Sequence, residues 1–98
     1  MNIQFLALAE KELDEAKEYY DIQYSGLGDQ FLSEIGSALE RIKQHPNAWH
    51  PLGKRTRRCQ LKRFPYAVIY QVRGQGILVV AIMNLHRQPN YWQQRIKI

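Results

Sequence analysis

From residue 41 onward the sequence contains no aspartate and no glutamate. All nine acids (Glu10, Glu12, Asp14, Glu15, Glu18, Asp21, Asp29, Glu34 and Glu40) fall in residues 1–40. Only Lys11 and Lys17 oppose them there, which leaves that part at −7, while residues 41–98 hold twelve Lys and Arg and stand at +12. A uniformly solvated surface mixes its signs. The segregation therefore implies a cationic field on one part of the fold, of the kind that attracts phosphates or acidic protein segments. Cysteine is nearly absent too. Cys59 stands alone, which excludes an internal disulfide framework and fits a reducing cytoplasm. Its simplest role is a small buried hydrophobe in a strand. The longest apolar run, residues 77–83, is strand-sized and far short of a membrane span. Met1-Asn2-Ile3-Gln4 shows neither a basic n-region nor an apolar h-region, so no signal peptide and no membrane partner are expected. Gly and Pro number six and four, while 45% hydrophobic and 11% aromatic residues can fill a core, so a disordered tail is excluded. The length suits one domain, residues 1–98.

Residues 3–7 alternate as a short first strand with Ile3, Phe5 and Ala7 inward. From about Ala9 the period becomes helical, with Leu13, Ala16, Tyr20 and Tyr24 on one stripe. Ser25-Gly26-Leu27-Gly28 breaks this helix. A second helix places Phe31, Ile35, Ala38, Leu39 and Ile42 on one face, with Asp29 at its start and Arg41 and Lys43 at its end. Gly36 in its interior suggests a close crossing of the two helices. His45-Pro46 ends it. After an irregular basic stretch, residues 56–63 alternate as a strand with one cationic face. Phe64-Pro65 interrupts, residues 66–72 form a β-branched and aromatic strand, and residues 73–76 form a hairpin loop. Residues 77–85 return as an apolar run suited to a central strand covered on both faces. A polar tail with one or two helical turns follows. The order β-α-α-β-β-β plus tail describes an α+β domain, an αα-hairpin packed on a mostly antiparallel sheet.

Two groups of residues carry candidate chemistry. The first is a basic sheet face: Arg58 and Lys62 share a side of the strand, Arg63 lies at its end, and Lys54 and Arg55 extend from the preceding loop. It suits RNA phosphates or an acidic peptide segment, and composition does not choose between them. The second is the ending, where His86 and Arg87 emerge from the last apolar strand and Tyr91, Trp92 and Arg95 follow. RNA cleavage through the 2′-hydroxyl needs a base, an acid and a cation over the phosphate. In an acid-free half the candidate proton movers are His86, Tyr91 and Tyr70, with Arg87, Arg58 and Arg63 to hold charge. His45 and His50 lack companions for a metal shell, so no metal or cofactor is expected.

The element order, the segment Leu61-Lys62-Arg63-Phe64-Pro65-Tyr66-Ala67-Val68-Ile69-Tyr70 and the ending His86-Arg87-Gln88-Pro89-Asn90-Tyr91-Trp92 together resemble the RelE/ParE toxins of type II toxin–antitoxin systems, which include plasmid-stabilisation modules. The ending resembles the ParE branch more than the RelE branch. The resemblance implies a cytoplasmic toxin, bound and inhibited by a cognate antitoxin with an acidic C-terminal segment in a hetero-oligomer. ParE-like members inhibit DNA gyrase, which makes Arg87, Tyr91, Trp92 and Arg95 the expected target-binding residues. RelE-like members cleave mRNA on the ribosome, and there His86, Arg87, Tyr91, Arg58 and Arg63 would be catalytic. That branch carries its catalytic tyrosine later, where this sequence has Gln93 and Gln94, so gyrase binding is the leading expectation. A toxin-like fold that only binds the antitoxin is the third.

Overall fold

The computed structural model describes residues 2–96. Alternation at the start produces strand β1 (Asn2–Phe5), in which Ile3 and Phe5 are half-buried and Asn2 and Gln4 are exposed. Ala7 is not the inward end of that strand. The Leu6 N–H still bonds Val79 O (3.0 Å), but the Leu6 carbonyl already accepts from Glu10 (3.0 Å), so a helix begins at Ala7. This helix, α1 (Ala7–Gln23), buries Ala9 and Ala16 and packs Leu13 and Tyr20 against the core. It stops one residue before Tyr24, whose extended backbone leaves the ring 71% exposed rather than on the expected stripe.

Gly26 takes a left-handed conformation (φ 85°) that releases the chain into helix α2 (Leu27–Gln44). Phe31, Ile35, Ala38 and Ile42 are its buried stripe. Asp21 of α1 closes the hairpin. Its carboxylate accepts the Gly28 N–H (3.0 Å), one of the donors that the start of a helix leaves free, and also pairs with Lys17 (2.6 Å). The tight point of the hairpin is Gly28. A Cβ there would meet the Asp21 carboxylate and stand 2.7 Å from Lys17 O. Gly36, expected at a close crossing, faces open space instead.

The remaining strands are β2 (His50–Pro51), β3 (Thr56–Gln60), β4 (Tyr66–Arg73) and β5 (Gly76–Asn84). They form one sheet in the order β1-β5-β4-β3-β2, with β1 parallel to β5 and every other pairing antiparallel. The architecture is the expected α+β one, with a two-residue edge strand, β2, added. Gly74 supplies the positive φ (59°) that opens the two-residue β4–β5 turn.

An irregularity in β5 decides what each sheet face carries. Ile69 pairs with Ala81 and Tyr70 with Val79, so Val80 is an extra residue, a β-bulge. One extra residue reverses the side to which later side chains point. Ile77, Val79 and Ile82 accordingly join the core under the helices, with Phe31, Ile42, Cys59, Val68 and Tyr70. Val80, Ala81 and Met83 join Ala67 and Ile69 in a second core on the opposite face. That second core is covered by the chain's own ending. Trp92 is 2% exposed, and Leu52, Leu85, Tyr91 and Ile96 pack around it, the last from a single 3₁₀ turn (Gln93–Ile96). Among the described residues no helix is long and apolar enough to cross a membrane.

Candidate interaction site

The fold converts the charge segregation of the sequence into a polarity between layers. All nine acids lie on α1 or α2, while Arg57, Arg58, Arg73, Lys54, Arg55 and the C-terminal arginines belong to the sheet side. Two carboxylates reach around the sheet to these cations, Glu12 at one edge and Glu34 beyond β3.

Glu12 sits where α1 passes the edge of β5 that β1 has left. Beyond Val79 no strand among the described residues neighbours that edge, and backbone groups there need other partners. Glu12 Oε1 accepts the Ile82 N–H (3.0 Å), and Arg95 donates to Val80 O (3.1 Å). Arg95 then grips both oxygens of Glu12, at 2.9 Å each. The Tyr91 hydroxyl donates to Oε2 (2.7 Å), and Arg87 Nη1 stands 3.9 Å from the same atom. The ion pair is largely shielded from water, with side-chain exposures of 13% for Arg95 and 12% for Glu12. The guanidinium carbons of Arg87 and Arg95 lie 4.0 and 5.0 Å from the centre of the Tyr91 ring. A single carboxylate from the helix layer thus fastens the C-terminal ending across the sheet edge.

This geometry sorts the residues expected to bind a target. Trp92 and Arg95 point inward and hold the segment, so neither is surface in this conformation. Tyr91 is half-buried between its partners. Arg87 is the one charged residue of the set that remains presented, at 55% side-chain exposure, with Gln88, Pro89, Asn90, Gln93 and Gln94 exposed around it.

The basic face also divides. β3 ends at Gln60 rather than Arg63, so Arg58 and Lys62 do not share a strand face. The chain turns into β4 there, with the Leu61 N–H on Tyr66 O (2.9 Å), and Glu34 takes the free donors of the turn: its Oε1 accepts the main-chain N–H groups of Lys62 (2.6 Å) and Arg63 (2.8 Å), and Oε2 accepts from Arg63 Nε (3.0 Å). Burial pushes the Glu34 carboxyl up, but the combined hydrogen bonds from Arg63 and Lys62 outweigh it and hold its pKa below the ordinary value. Arg58 stands opposite Ile69 and therefore on the helix-free face. Arg57 occupies the other face, donating to Trp49 O (2.8 Å).

Of the residues named for RNA cleavage, the structure brings Arg87 against Tyr91 and leaves Tyr70, Arg58 and Arg63 apart from them. Tyr70 is fully buried beneath the helices, donates to Pro46 O (2.6 Å), and is pushed by burial up to about 12. Burial raises the Tyr91 phenol as well, reinforced by its hydrogen bond to Glu12. His86 is exposed just past β5, with its backbone N–H on Asn84 Oδ1 (2.9 Å). Arg58 and Arg63 lie on separate features. Cys59 is buried, which pushes its thiol pKa up and matches the expected core role. Among the described residues no group of three His, Cys, Asp or Glu is placed to hold a metal.

Glu12 and Arg73 are the residues that sequence reasoning missed. Glu12 reads as one more wet-face acid of α1, although it lies beside the Ala9, Leu13 and Ala16 stripe. Arg73 reads as a loop residue but closes β4.

Known proteins resemble this one in sequence and in fold. Residues 3–89 match the model of a family described as the ParE toxin of the type II toxin–antitoxin system parDE. The sequence is 32% identical over 82 residues to Toxin ParE2 of Mycobacterium tuberculosis, in both the CDC 1551 and H37Rv strains, covering 83% of this chain and 78% of the relative. The fold superposes on a solved chain of the chromosomal ParDE toxin–antitoxin system from P. aeruginosa with a TM-score of 0.75. That match has 18% identity and covers 88% of this chain and 97% of the other.

Proposed function

Because the chain belongs to the ParE toxin family of type II toxin–antitoxin systems, we propose that it arrests growth by binding DNA gyrase, with no chemistry of its own. A cognate antitoxin with an acidic C-terminal segment neutralises it in the cytoplasm, in a toxin–antitoxin hetero-oligomer. The observation that supports binding is the state of the ending. Its aromatic and basic residues are spent on holding the segment to Glu12 and the second core, and what they present is Arg87 within a neutral polar surround. A fixed, exposed guanidinium on a rigid support suits recognition of a carboxylate or phosphate on a large partner. The same geometry weighs against cleavage, since the tyrosines carry committed or buried hydroxyls.

A supercoiling assay with purified gyrase tests this reading. Micromolar toxin is expected to block supercoiling. The Arg87→Ala variant is expected to lose the effect while its stability changes by no more than about 1 kcal/mol, the scale of an exposed cation–π contact. Supercoiling that proceeds unchanged at micromolar toxin refutes the proposal.

A further inference from the structure

The two layers of the molecule differ in what they leave unpaired. On the sheet side, Arg63, Arg87 and Arg95 are drawn to Glu34 or Glu12. Among the described residues, Lys54, Arg55, Arg58 and Arg73 have no carboxylate within 4.0 Å. On the helix side the reverse holds. Glu10, Asp14, Glu15 and Glu18, all on α1, have no cation within 4.0 Å among the described residues. The folded chain is therefore an electric dipole, with free cations on the sheet side and free acids on the opposite layer. A polyanion is drawn to such a molecule from one direction only.

One of these cations is held by a buried polar relay. Thr56 and Gln71 are 4% and 5% exposed, the buried polar residues of the described chain. They stand opposite each other in the β3–β4 ladder and are joined by a hydrogen bond from Gln71 Nε2 to Thr56 Oγ1 (3.0 Å). The other end of the Gln71 amide accepts from Arg73 Nε (2.9 Å). No hydrogen bond among the described residues takes the Arg73 Nη groups, so the guanidinium is fixed in plane and offers both to an outside acceptor. Arg73 also lines two grooves. One, of about 240 Å³, it shares with Lys54 and Arg55; the other, of about 910 Å³, it shares with the carboxamides of Asn2, Gln4 and Gln75.

The distribution of these groups identifies the class of partner. Lys54 and Arg55 are neighbours in the loop before β3, Arg58 lies on β3 opposite Ile69, and Arg73 lies on β4 opposite Gly76. They are scattered over a loop and two strands rather than set in a row. A single extended chain, charged along one line, reaches only some of them, whereas a duplex presents phosphates on two strands across each groove. A single-stranded nucleic acid stacks its bases on exposed aromatic rings, and a membrane surface takes apolar side chains beside the cations. Here the exposed large hydrophobics, Leu8, Tyr19, Ile22 and Tyr24, lie on or just after α1, in the acidic layer. The longest dimension of the molecule is 38 Å, about one helical turn of duplex, roughly 34 Å.

We propose that the sheet side, through Lys54, Arg55, Arg58 and Arg73, grips the phosphate backbone of duplex DNA without reading its sequence. Asn2, Gln4 and Gln75 add uncharged hydrogen bonds to sugar and phosphate oxygens, contacts that position a protein on a duplex and carry no sequence information. The contact stands on the charge and geometry of this side alone. Its bearing on gyrase rests on the reading given above: Arg87 engages the protein, and the sheet side holds the DNA on which that protein works.

Fluorescence anisotropy on the whole chain, with a labelled duplex of roughly 16 base pairs, about one and a half turns, is the test. Affinity is expected to fall roughly 40- to 150-fold between about 50 and 200 mM KCl, the dependence of three to four neutralised phosphates. Lys54→Gln, Arg55→Gln and Arg73→Gln are each expected to lower the slope of log affinity against log salt by roughly 0.9. Lys11→Gln changes the net charge equally but lies on α1, and is expected to leave the slope unchanged. Equal losses for Lys11→Gln and Arg73→Gln overturn the proposal, because net charge alone would then carry the binding. So does a slope indifferent to Arg73→Gln, or tighter binding of the single strand of the same sequence or of an oligoglutamate of equal charge. Gyrase does not enter this measurement, so failure to bind the duplex and failure to block supercoiling are distinguishable outcomes.

Discussion

Replacing Glu12 by alanine removes the carboxylate that Arg87, Tyr91 and Arg95 of the ending share. The change removes two of the three hydrogen bonds of Arg95 and orphans the Tyr91 hydroxyl and the Ile82 N–H. Breaking a buried ion pair from one side costs ~3–5 kcal/mol, because the surviving charge stays in a poorly hydrated place. Arg95, at 13% exposure, meets that condition, and its remaining bond to Val80 O does not neutralise it. A domain of this size has a total stability of about 5–15 kcal/mol, so the loss lowers the melting temperature by on the order of 15 °C. Glu12→Gln keeps an oxygen for two donors and is expected to cost less, about 1–3 kcal/mol. Urea unfolding followed by circular dichroism gives both values. Amide exchange adds a local readout: Ile82 N–H loses its acceptor in Glu12→Ala, whereas Val68 at the centre of β4 keeps its ladder. Adding Arg95→Met to Glu12→Ala is expected to recover part of the loss, since no unpaired charge then remains. The reasoning fails if Glu12→Ala unfolds within about 0.5 kcal/mol of the parent, the range of an ordinary surface change.

Two glycines on one hairpin are expected to respond in opposite directions. Gly28→Ala drives a Cβ against the Lys17 carbonyl and the Asp21 carboxylate and is expected to destabilise by more than about 1 kcal/mol, whereas Gly36→Ala, in open space within α2, is expected to stabilise by ~0.5–1 kcal/mol; thermal melts of both variants decide. Glu34 sets an acid-side dependence. Its folded pKa lies below the unfolded value of roughly 4.3, so its contribution is complete above that pH and is lost as pH falls through the folded pKa. Glu34→Gln is expected to flatten this limb of the stability–pH profile, and an unchanged limb removes Glu34 as its source.

Element order was legible because the hydrophobic period changes from two to 3.6 and back, and the turn residues fall between. The sheet order was not. That β1 lies parallel beside β5 depends on a crossover through two helices that leaves no local trace. The bulge at Val80 was hidden for a related reason, since an all-apolar strand has no alternation to break. The basic face was misplaced because alternation was read through residues 56–63, although the chain already turns into β4 after Leu61 and Glu34, distant in sequence, takes the amides of that turn. Arg87 as the presented cation was readable at a strand end. That Trp92 and Arg95 face inward was not, because their partners are Glu12 and the second core.

The fastening of the ending also sets when in the life of the chain the toxin exists. Glu12 and Arg95 are 83 positions apart, and β1 at residues 2–5 pairs with β5 from Gly76. During synthesis the αα-hairpin can form early, since its contacts are local, whereas a pairing between the two ends waits until both have emerged. Glu12 therefore lacks its Arg95 partner, and the ending lacks that anchor, until residue 95 has emerged. A message cut short before the Arg95 codon makes a protein without its clasp. The interval between the first turn of α1 and the arrival of Arg95 is a window in which the hairpin exists and the clasped ending does not.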